Sequence, residues 1–535
     1  MQNNKTDGFT LVELIIVFAI LSILAAAILI GINPAKNTSS ARNAVRASDN
    51  KTLLTALDLY SVDNTGQYPS AIDGTLRMLG TDNTGCNILC GKPQGTQVSA
   101  SSIADQTSSD FNQGTYSNTQ WSGTNTALEL TTAGKTAKTG TFTSRIFNTG
   151  SPSTWSSFLP VAQQPYGKEL PNNGASETQY SAGNANMTGN VLLLHLNEAS
   201  GTLVDSSNTS NNATKVGNPT YGVTGQFNTA LSFNSSADYL TINNNSSLNP
   251  PTAMTLEAWV KWNISPSTGA QWATIAGKGD NAGYLLQHNN TNTAFEFAVQ
   301  AATNRTYILS TTTPTMGTWY HVVGTYDGTS IRLYVNGIQE RTGSLSGAPR
   351  STANPFQIAR SNGGRSFIGN IDELAFYNRA LSATEVLNHY QRGALHIEHQ
   401  IRSCSNNTCT GSTFIGPNGT AGTYYTELTN TTTGLPSYDI SNLGNNQYFQ
   451  YQTVFRTSNT TYSPLLKTVS TQYNTSSLTG EMTASSCIDL SPQLAPYITK
   501  PLLDPKVGTT GKSYYAVRKN TNGRIAIVNC YVENP

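Results

Sequence analysis

The hydrophobic and polar positions of this chain follow three patterns, and each predicts a different kind of element. From Phe9 to Ile32 the residues are almost all apolar, with Glu13 as the one charge. This run is long enough to cross a bilayer, because about 20 apolar residues span the hydrocarbon. Apolar residues then recur near helical spacing as far as Tyr60, which predicts one long helix, interrupted near Gly31–Pro34.

The third pattern consists of short runs in which apolar and polar residues alternate, separated by turn dipeptides. Between about residues 190 and 390 these runs are dense, as in 254–260 and 331–335, and Asn-Gly or Asp-Gly pairs separate several of them. Such a density of strands and turns predicts a β-sandwich. Two more alternating runs, 513–518 and 524–530, flank another Asn-Gly pair and predict a C-terminal hairpin.

The start of the apolar run differs from a secretory signal peptide. Such a peptide has a shorter apolar region, followed by a cleavage site made of small residues. Here the small residue, Gly8, precedes the run, and the segment before it is short and polar. The alternative is a plain signal anchor with Glu13 at the headgroup edge. The sequence Gly8-Phe-Thr-Leu-Val-Glu-Leu14 resembles the N-terminus of type IV pilins and pseudopilins.

This resemblance implies a processing and assembly route. A prepilin peptidase would cut after Gly8, Phe9 would be methylated, and Glu13 would pair with the N-terminal amine of a neighbouring subunit. The chain would stand in the cytoplasmic membrane by a single span before assembly, and in an extracellular filament at the cell surface afterwards. Its implied partners are other pilin subunits and the pilus assembly machinery.

The pilin domain is expected to be α+β and discontinuous. The long N-terminal helix is not followed by a small antiparallel sheet, and the C-terminal hairpin resembles the missing sheet of small pilins. The long insertion between them includes segments that resemble a LamG-like, concanavalin A-like jellyroll. The resembling segments are 256–260, 319–322, 326–328, 333–337 and 369–382. The fold class expected is thus a pilin with inserted all-β sandwich and jellyroll domains.

These resemblances divide the chain into nested domains. The strand-rich pieces on either side of the jellyroll resemble the two parts of one galactose-binding-like accessory sandwich. The Ser/Thr/Gln-rich stretch before them has no period and predicts a linker. The predicted boundaries are 1–8 for the leader, 9–95 and 476–535 for the pilin, 96–114 for the linker, 115–189 and 393–475 for the accessory sandwich, and 190–392 for the jellyroll.

Composition narrows the choice of partners and predicts disulfides. The formal net charge is +1 and only 11% of residues are charged, with no basic stripe that would indicate nucleic acid. Outside the membrane the cysteines predict disulfides, and none has the spacing of a zinc site. The candidates are Cys86, Cys90, Cys404, Cys409, Cys487 and Cys530. We expect bonds between Cys404 and Cys409 and between Cys487 and Cys530, and leave the pairing of Cys86 and Cys90 open.

No catalytic residues are predicted. A glycosidase would need two carboxylates flanking one bond, which glucanase-type jellyrolls place on one strand as Glu-x-Asp-x-Glu. This run is absent, and the adjacent Asp372 and Glu373 are expected to point to opposite faces of a strand. Calcium is the cofactor considered, because LamG-like domains often hold it with aspartates at the positions of Asp205 and Asp372. An aspartate in a turn is also simply a turn residue.

Exposed aromatic side chains are the sequence feature on which sugar binding would depend. The candidates in or near loops are Tyr239, Trp262, Trp272, Tyr284 and Tyr307. The function predicted is a minor type IV pilin or pseudopilin that displays a lectin-like jellyroll for adhesion to a surface glycan or glycoprotein. The alternative is a structural or docking subunit of a secretion or DNA-uptake pseudopilus, with no sugar site.

Overall fold

The computed structural model describes most of the chain after residue 33, and this part is mostly β structure with few helices. Gly8, Phe9, Glu13 and Cys86 lie outside the described residues, as does the predicted membrane span. Within the described ranges, no helix is both long and apolar enough to cross a membrane. The described ranges are 34–81, 88–90, 99–266, 272–280, 282–291, 293–301, 304–428, 430–475, 482–484, 486–510, 512–520 and 523–531.

Five α-helices occur in the described ranges, and the first is the predicted amphipathic helix. They are α1 (Pro34–Asp63), α2 (Ser108–Phe111), α3 (Thr132–Ala137), α4 (Ala383–Ala394) and α5 (Ser491–Leu494), with one 3₁₀ turn at Ser246–Leu248.

The strands fall into three groups along the chain. Before the jellyroll they are β1 (Arg77–Leu79), β2 (Ile88–Cys90), β3 (Ser99–Asp105), β4 (Thr115–Ser117), β5 (Thr119–Ser122), β6 (Ala127–Leu130), β7 (Thr139–Thr143) and β8 (Phe147–Ala162). Within the jellyroll they are β9 (Asn190–Leu194), β10 (Thr214–Val216), β11 (Thr220–Thr224), β12 (Thr229–Phe233), β13 (Tyr239–Ile242), β14 (Met254–Trp262), β15 (Trp272–Lys278), β16 (Tyr284–Asn289), β17 (Ala294–Ala301), β18 (Asn304–Leu309), β19 (Trp319–Tyr326), β20 (Ser330–Val335), β21 (Ile338–Ser344), β22 (Phe356–Ile358) and β23 (Gly369–Tyr377). After it they are β24 (Leu395–Cys404), β25 (Tyr438–Asp439), β26 (Asn446–Thr457), β27 (Leu466–Thr475), β28 (Met482–Ala484), β29 (Ser486–Ile488), β30 (Tyr515–Lys519) and β31 (Ile525–Asn529).

The first helix and the C-terminal hairpin pack together, although more than 450 residues separate them. Leu53 and Leu57 of α1 share one hydrophobic cluster with Val517 of β30 and Ile527 of β31. A salt bridge of 2.6 Å joins Arg46 of the helix to Asp504 before the hairpin, and both side chains are buried. This packing places the two ends of the described chain in one head, while the domain boundaries themselves stay predictions.

One sheet runs without a break from this head into the strands that flank the jellyroll. Its main order is β29-β1-β30-β31-β3-β27-β8-β26-β7-β4. Strand β3 is the connection, since it pairs with β31 on one side and β27 on the other. The prediction of a linker over 96–114 is therefore wrong at residues 99–105. The pattern was missed because β3 is built from small residues, with Ile103 as its one large apolar side chain.

The jellyroll consists of two facing sheets with one hydrophobic core between them. The seven-stranded sheet has the order β10-β13-β22-β15-β16-β17-β18, and the eight-stranded sheet has the order β11-β12-β23-β14-β19-β20-β21 with β9 beside β23. The outward side of the eight-stranded sheet is covered by α4 and by residues 166–189. Its apolar residues, such as Val323 and Tyr377, pack there against Leu170, Met187 and Val386.

One of the predicted cysteine pairs, Cys404 with Cys409, is confirmed, and another is wrong. Cys530 bonds to Cys90, which is 440 residues away, and Cys404 bonds to Cys409. The predicted bond between Cys487 and Cys530 is therefore wrong; Cys487 is disulfide-bonded as well. The prediction failed because it paired cysteines that follow one another in the sequence. Folding instead brings Cys90 of β2 next to Cys530.

Candidate functional site

The outward side of the seven-stranded sheet, which we call the open face, differs from the covered outward side of the other sheet. Leu240, Leu286 and Phe297 point into the core, so the alternate residues of these strands point outward. Leu285 and Ala298 are buried on this outward side, yet neither belongs to a hydrophobic cluster of the described residues. The open face thus has polar and aromatic side chains on its outward side; those of β16 and β17 are buried, and Tyr307 of β18 is exposed.

A buried row of polar side chains crosses the middle of the open face. Glu296 accepts hydrogen bonds of 2.8 Å from the side-chain amides of Gln287 and Asn289. Arg305 lies 3.8 Å from the Glu296 carboxylate, and Thr274 donates to Gln287. These side chains lie on neighbouring strands whose paired residues share one face. These contacts hold the polar side chains in place and give the Glu296 carboxylate its hydrogen-bond and charge partners.

An arginine side chain lies over each of three aromatic rings on the open face. Arg365 lies 4.6 Å from the ring centre of Trp272, and Arg360 lies 4.9 Å from that of Tyr239. Arg305 lies 5.8 Å from the ring of Tyr307, which is the most exposed of the three rings. Such pairs are attracted because the face of an aromatic ring is electron-rich. The sequence singled out the rings but gave no signal for the arginines. Arg305 lies on the same strand as Tyr307, whereas Arg360 and Arg365 come from the loop after β22.

The five aromatic candidates divide into two groups. Tyr239, Trp272 and Tyr307 lie on the open face, where a ligand can reach them. The prediction of Trp262 and Tyr284 as sugar-binding candidates is wrong, because each side chain is only 2% exposed and packs in the core. Their burial follows from the strand alternation, since Trp262 contacts Phe295 and Phe367 between the sheets.

The covered face holds an ionic cluster that was not predicted. His195 contacts the Glu373 carboxylate through Nδ1 and lies 3.8 Å from Glu169, and its Nε2 is 2.7 Å from the side-chain oxygen of Asn172. The ligand atoms of Glu169, His195 and Glu373 all lie within 4.8 Å of one another. All three side chains are buried, and each is hydrogen-bonded within the protein.

A β-bulge brings Asp372 and Glu373 to the same side of the sheet. Opposite Ala258 the register between β14 and β23 shifts, and Glu373 adopts a φ of 45°. A bulge of this kind places two residues against one and interrupts strand alternation. The expectation that the two carboxylates point to opposite faces is therefore wrong. It fails because alternation holds only while the pairing register continues.

The electrostatics of the cluster are those of a buried ion pair. Burial lowers the pKa of His195, but Glu373 and Glu169 outweigh it and raise the pKa to about 9. Burial also raises the pKa of Glu169 to about 7, with the charge of Glu373 adding to the rise. The pKa of Asp372 is raised well above its usual value by burial and by Glu373. The histidinium of His195 compensates the charge of Glu373, and the raised pKa values of Glu169 and Asp372 favour the neutral forms of these two acids.

The two aspartates predicted for calcium are engaged in hydrogen bonds. Asp205 accepts five, from the backbone of Leu193, Ser207 and Asn211 and from the hydroxyls of Ser207 and Thr209. Asp372 accepts two backbone bonds, from Gln226 and Phe227. Asp205 is not part of the one cluster of described residues with metal-ligand spacing. Because its donors occupy both oxygens, the geometry of Asp205 does not fit a calcium ligand, which must offer oxygens to the ion.

A second ionic network fastens the covering segment to the helix. Arg392 of α4 donates to Glu177 at 2.7 and 2.9 Å, and Lys168 lies 3.1 Å from the same carboxylate. Lys168 is also 3.5 Å from Glu427, which accepts a bond from Tyr180. The network ties residues 168–177 to both the jellyroll and the strands after it. The charges of the covered face thus hold the fold together.

Comparison with known proteins identifies two parts of the chain. Residues 3–29 match the family model of the prokaryotic N-terminal methylation motif, and residues 234–387 match that of the concanavalin A-like lectin/glucanases superfamily. Two proteins named type II secretion system core protein G, from Pseudomonas aeruginosa and Aeromonas hydrophila, are each 38% identical over 74 residues. This is 14% of the chain and 50% of each relative, so the chain spans about half the length of the curated relatives it matches.

Solved structures add only distant likenesses. The binding domain of Paraclostridial Mosquitocidal Protein 1 is 14% identical, with a TM-score of 0.34, and the match covers 44% of this chain and 67% of that one. The receptor binding domain of botulinum neurotoxin D is 17% identical, with a TM-score of 0.31, over 40% and 59% of the two chains. At these TM-scores the likeness carries no argument. What the comparisons establish is a prepilin-type N-terminus on a chain that contains a concanavalin A-like domain.

Proposed function

We propose that the chain is a minor pilin or pseudopilin that displays its jellyroll on a surface filament, where the open face binds a glycan or glycoprotein. The observation that carries this proposal is the open face itself. It combines one exposed and two half-buried aromatic rings with arginines and a buried row of amide side chains, on a domain that matches the concanavalin A-like lectin/glucanases superfamily. Clefts and faces that bind small ligands have this mixture of aromatic surface and a few fixed polar groups.

The pilin part of the proposal is supported by the N-terminal methylation motif and by the packing of α1 against the C-terminal hairpin. The methylation motif at 3–29 includes Gly8, Phe9 and Glu13, which fits processing by a prepilin peptidase and assembly with other subunits. Such a chain would be held in the cytoplasmic membrane before it enters the filament. The continuous sheet through β3 would hold the display module firmly on the head. We assign the chain a binding role without catalysis.

A minor role in the filament follows from size. The residues between the two pilin segments number nearly 400, and so large an insertion would crowd a filament built from this subunit alone. We therefore expect sheared filaments to contain much more of another pilin than of this chain. Quantitative mass spectrometry of such filaments tests this, and finding this chain as the bulk subunit would contradict it.

The glycan role is tested with the full-length chain, purified in detergent and screened on a glycan array with calcium and with chelator. We expect saturable binding that falls about tenfold in Trp272→Ala, since a lost aromatic contact of about 1.4 kcal/mol has that effect. The matched control is Trp319→Ala, which removes a half-buried tryptophan that carries Lys261 at 5.0 Å on the other sheet. Equal loss in both variants, or a folded chain that binds no glycan, would contradict the proposal.

A second candidate is a docking subunit of a secretion or DNA-uptake pseudopilus. The sequence identity of 38% over 74 residues with a protein named type II secretion system core protein G favours this candidate. A pull-down of the folded chain from a membrane extract, analysed for pilus subunits that bind independently of Trp272, separates this candidate from the glycan role.

A further inference from the structure

We infer that the open face selects acidic saccharides, with Arg360 and Arg365 binding the carboxylate or sulfate groups of the ligand. The inference rests on the proposed function, because it takes the open face as the surface that meets a glycan. It adds the chemical class of that glycan and the two residues that recognise it.

The charge of these two arginines is not compensated within the described part of the protein. Of the three arginines on the open face, Arg305 lies 3.8 Å from Glu296. Arg360 and Arg365 have no carboxylate within 4.0 Å among the described residues, whereas Arg332 and Arg379 on the other sheet each pair with an acid. An anionic ligand would therefore supply the partner that these two guanidinium groups lack.

The stacked geometry leaves the arginines ready for an anion. The guanidinium carbon of Arg365 lies over the ring of Trp272, and that of Arg360 lies over the ring of Tyr239. The N–H groups lie in the plane of the guanidinium and stay available at its edges, where a carboxylate or sulfate accepts two parallel hydrogen bonds.

The loop that carries both arginines is held by backbone hydrogen bonds. Residues 359–366 lie between β22 and β23. The backbone N–H of Ala359 donates to Ile275 at 2.8 Å, and its carbonyl accepts from Phe367 at 2.8 Å. The carbonyl of Arg365 accepts from Thr274 of β15 at 3.3 Å. A loop fixed in this way presents its side chains at little entropic cost when a ligand binds.

One acid lies close to this loop. The side chain of Asp280 approaches Gly363 at the tip, and its Oδ1 is buried without a hydrogen-bond partner. Asp280 forms no salt bridge with Arg360 or Arg365. Its negative charge would repel an anion at the tip, so the acidic group of the ligand is expected over the sheet, between Tyr239 and Trp272.

The test measures binding of the full-length chain to three polymers by biolayer interferometry. Polygalacturonate supplies carboxylates, dextran sulfate supplies sulfates, and dextran is neutral. We expect binding to one or both acidic polymers, weakened by salt because exposed charges are screened. Each of Arg360→Gln and Arg365→Gln should weaken this binding about tenfold, as expected for the loss of one charge-assisted contact. Binding to only one acidic polymer supports the inference and identifies the acidic group.

The matched control is Arg341→Gln, which removes an arginine of β21 on the other sheet that has neither a salt bridge nor a stacked ring within the described residues. Equal weakening by this control would overturn the inference, because it would mean that total charge alone attracts the polymer. Binding of dextran or of neutral array glycans that depends on Trp272 but not on the arginines would overturn the inference and leave the proposed function intact. If the chain binds none of the polymers and none of the array glycans, both the inference and the proposed function are overturned.

Discussion

The two outward faces of the jellyroll treat charged side chains in opposite ways. On the covered face the buried Glu177 pairs with Arg392 and Lys168, and Glu373 pairs with His195. On the open face Arg360 and Arg365 stack on rings and meet no acid. Desolvated charges must be paired to be tolerated, whereas charges near water need no internal partner. We therefore interpret the paired charges of the covered face as structural, and Arg360 and Arg365 are the charges that our proposal assigns to binding.

Removing a charge from the covered face should give the largest effect on stability. In Glu177→Gln, Lys168 and Arg392 would lose the carboxylate between them, which for a buried pair costs about 3–5 kcal/mol in the free energy of unfolding. The comparison variant is Arg365→Gln, which should change that free energy by no more than about 0.5 kcal/mol. Urea unfolding of both variants checks this, and similar losses would remove the distinction between the faces.

The covered face should also make stability depend on pH. The folded-state pKa of His195 is raised from 6.5 to about 9, so its contribution is fully present below pH 6.5 and is lost as the pH rises through 9. Glu169, with its pKa raised from 4.5 to about 7, changes stability in the same direction. The His195 shift corresponds to up to about 3 kcal/mol. His195→Gln should flatten the fall between pH 6.5 and 9 in urea titrations; an unchanged slope would place the titration elsewhere.

A buried acid on the open face should cost less to neutralise. Glu296 is held by the neutral amides of Gln287 and Asn289, with Arg305 at 3.8 Å as its one cation among the described residues. Glu296→Gln should therefore reduce the free energy of unfolding by about 1 kcal/mol, the size of a hydrogen-bond loss. Thermal unfolding beside Glu177→Gln measures the difference. A loss as large as that of Glu177→Gln would show that open-face charges are equally structural.

Calcium should have the smallest effect. The oxygens of Asp205 already accept five hydrogen bonds, and an ion that binds only the folded state would raise the unfolding temperature. We expect calcium and chelator to give the same unfolding temperature, in the native chain and in Asp205→Asn alike. A calcium-dependent rise that Asp205→Asn abolishes would restore the calcium prediction.

The sequence was informative where a local pattern determines structure. The alternating runs and the turn dipeptides predicted a β-sandwich, the resemblance of its segments implied the jellyroll, and helical spacing predicted α1. It failed where the partner comes from far away in the chain. Cys530 bonds to Cys90 rather than Cys487, and β3 was taken for a linker because its small residues show no strong alternation.

The candidate site was only half predictable for a related reason. Turn-proximal aromatics such as Trp272 can be read from the sequence, but their exposure depends on which side of a strand they occupy. The positions of Arg360 and Arg365 could not be predicted, because pairing between distant strands places β22 and the loop after it between β13 and β15. The bulge at Glu373 likewise depends on pairing between distant strands.

The bond between Cys90 and Cys530 closes a covalent ring around the whole display module. A protease that cuts once anywhere between these residues would leave both fragments attached to the stem, so a nicked module would not be shed. The bond also sets an order of events, because it cannot form until residue 530 has reached an oxidising compartment. Completion of the head would then report that the entire module has been exported.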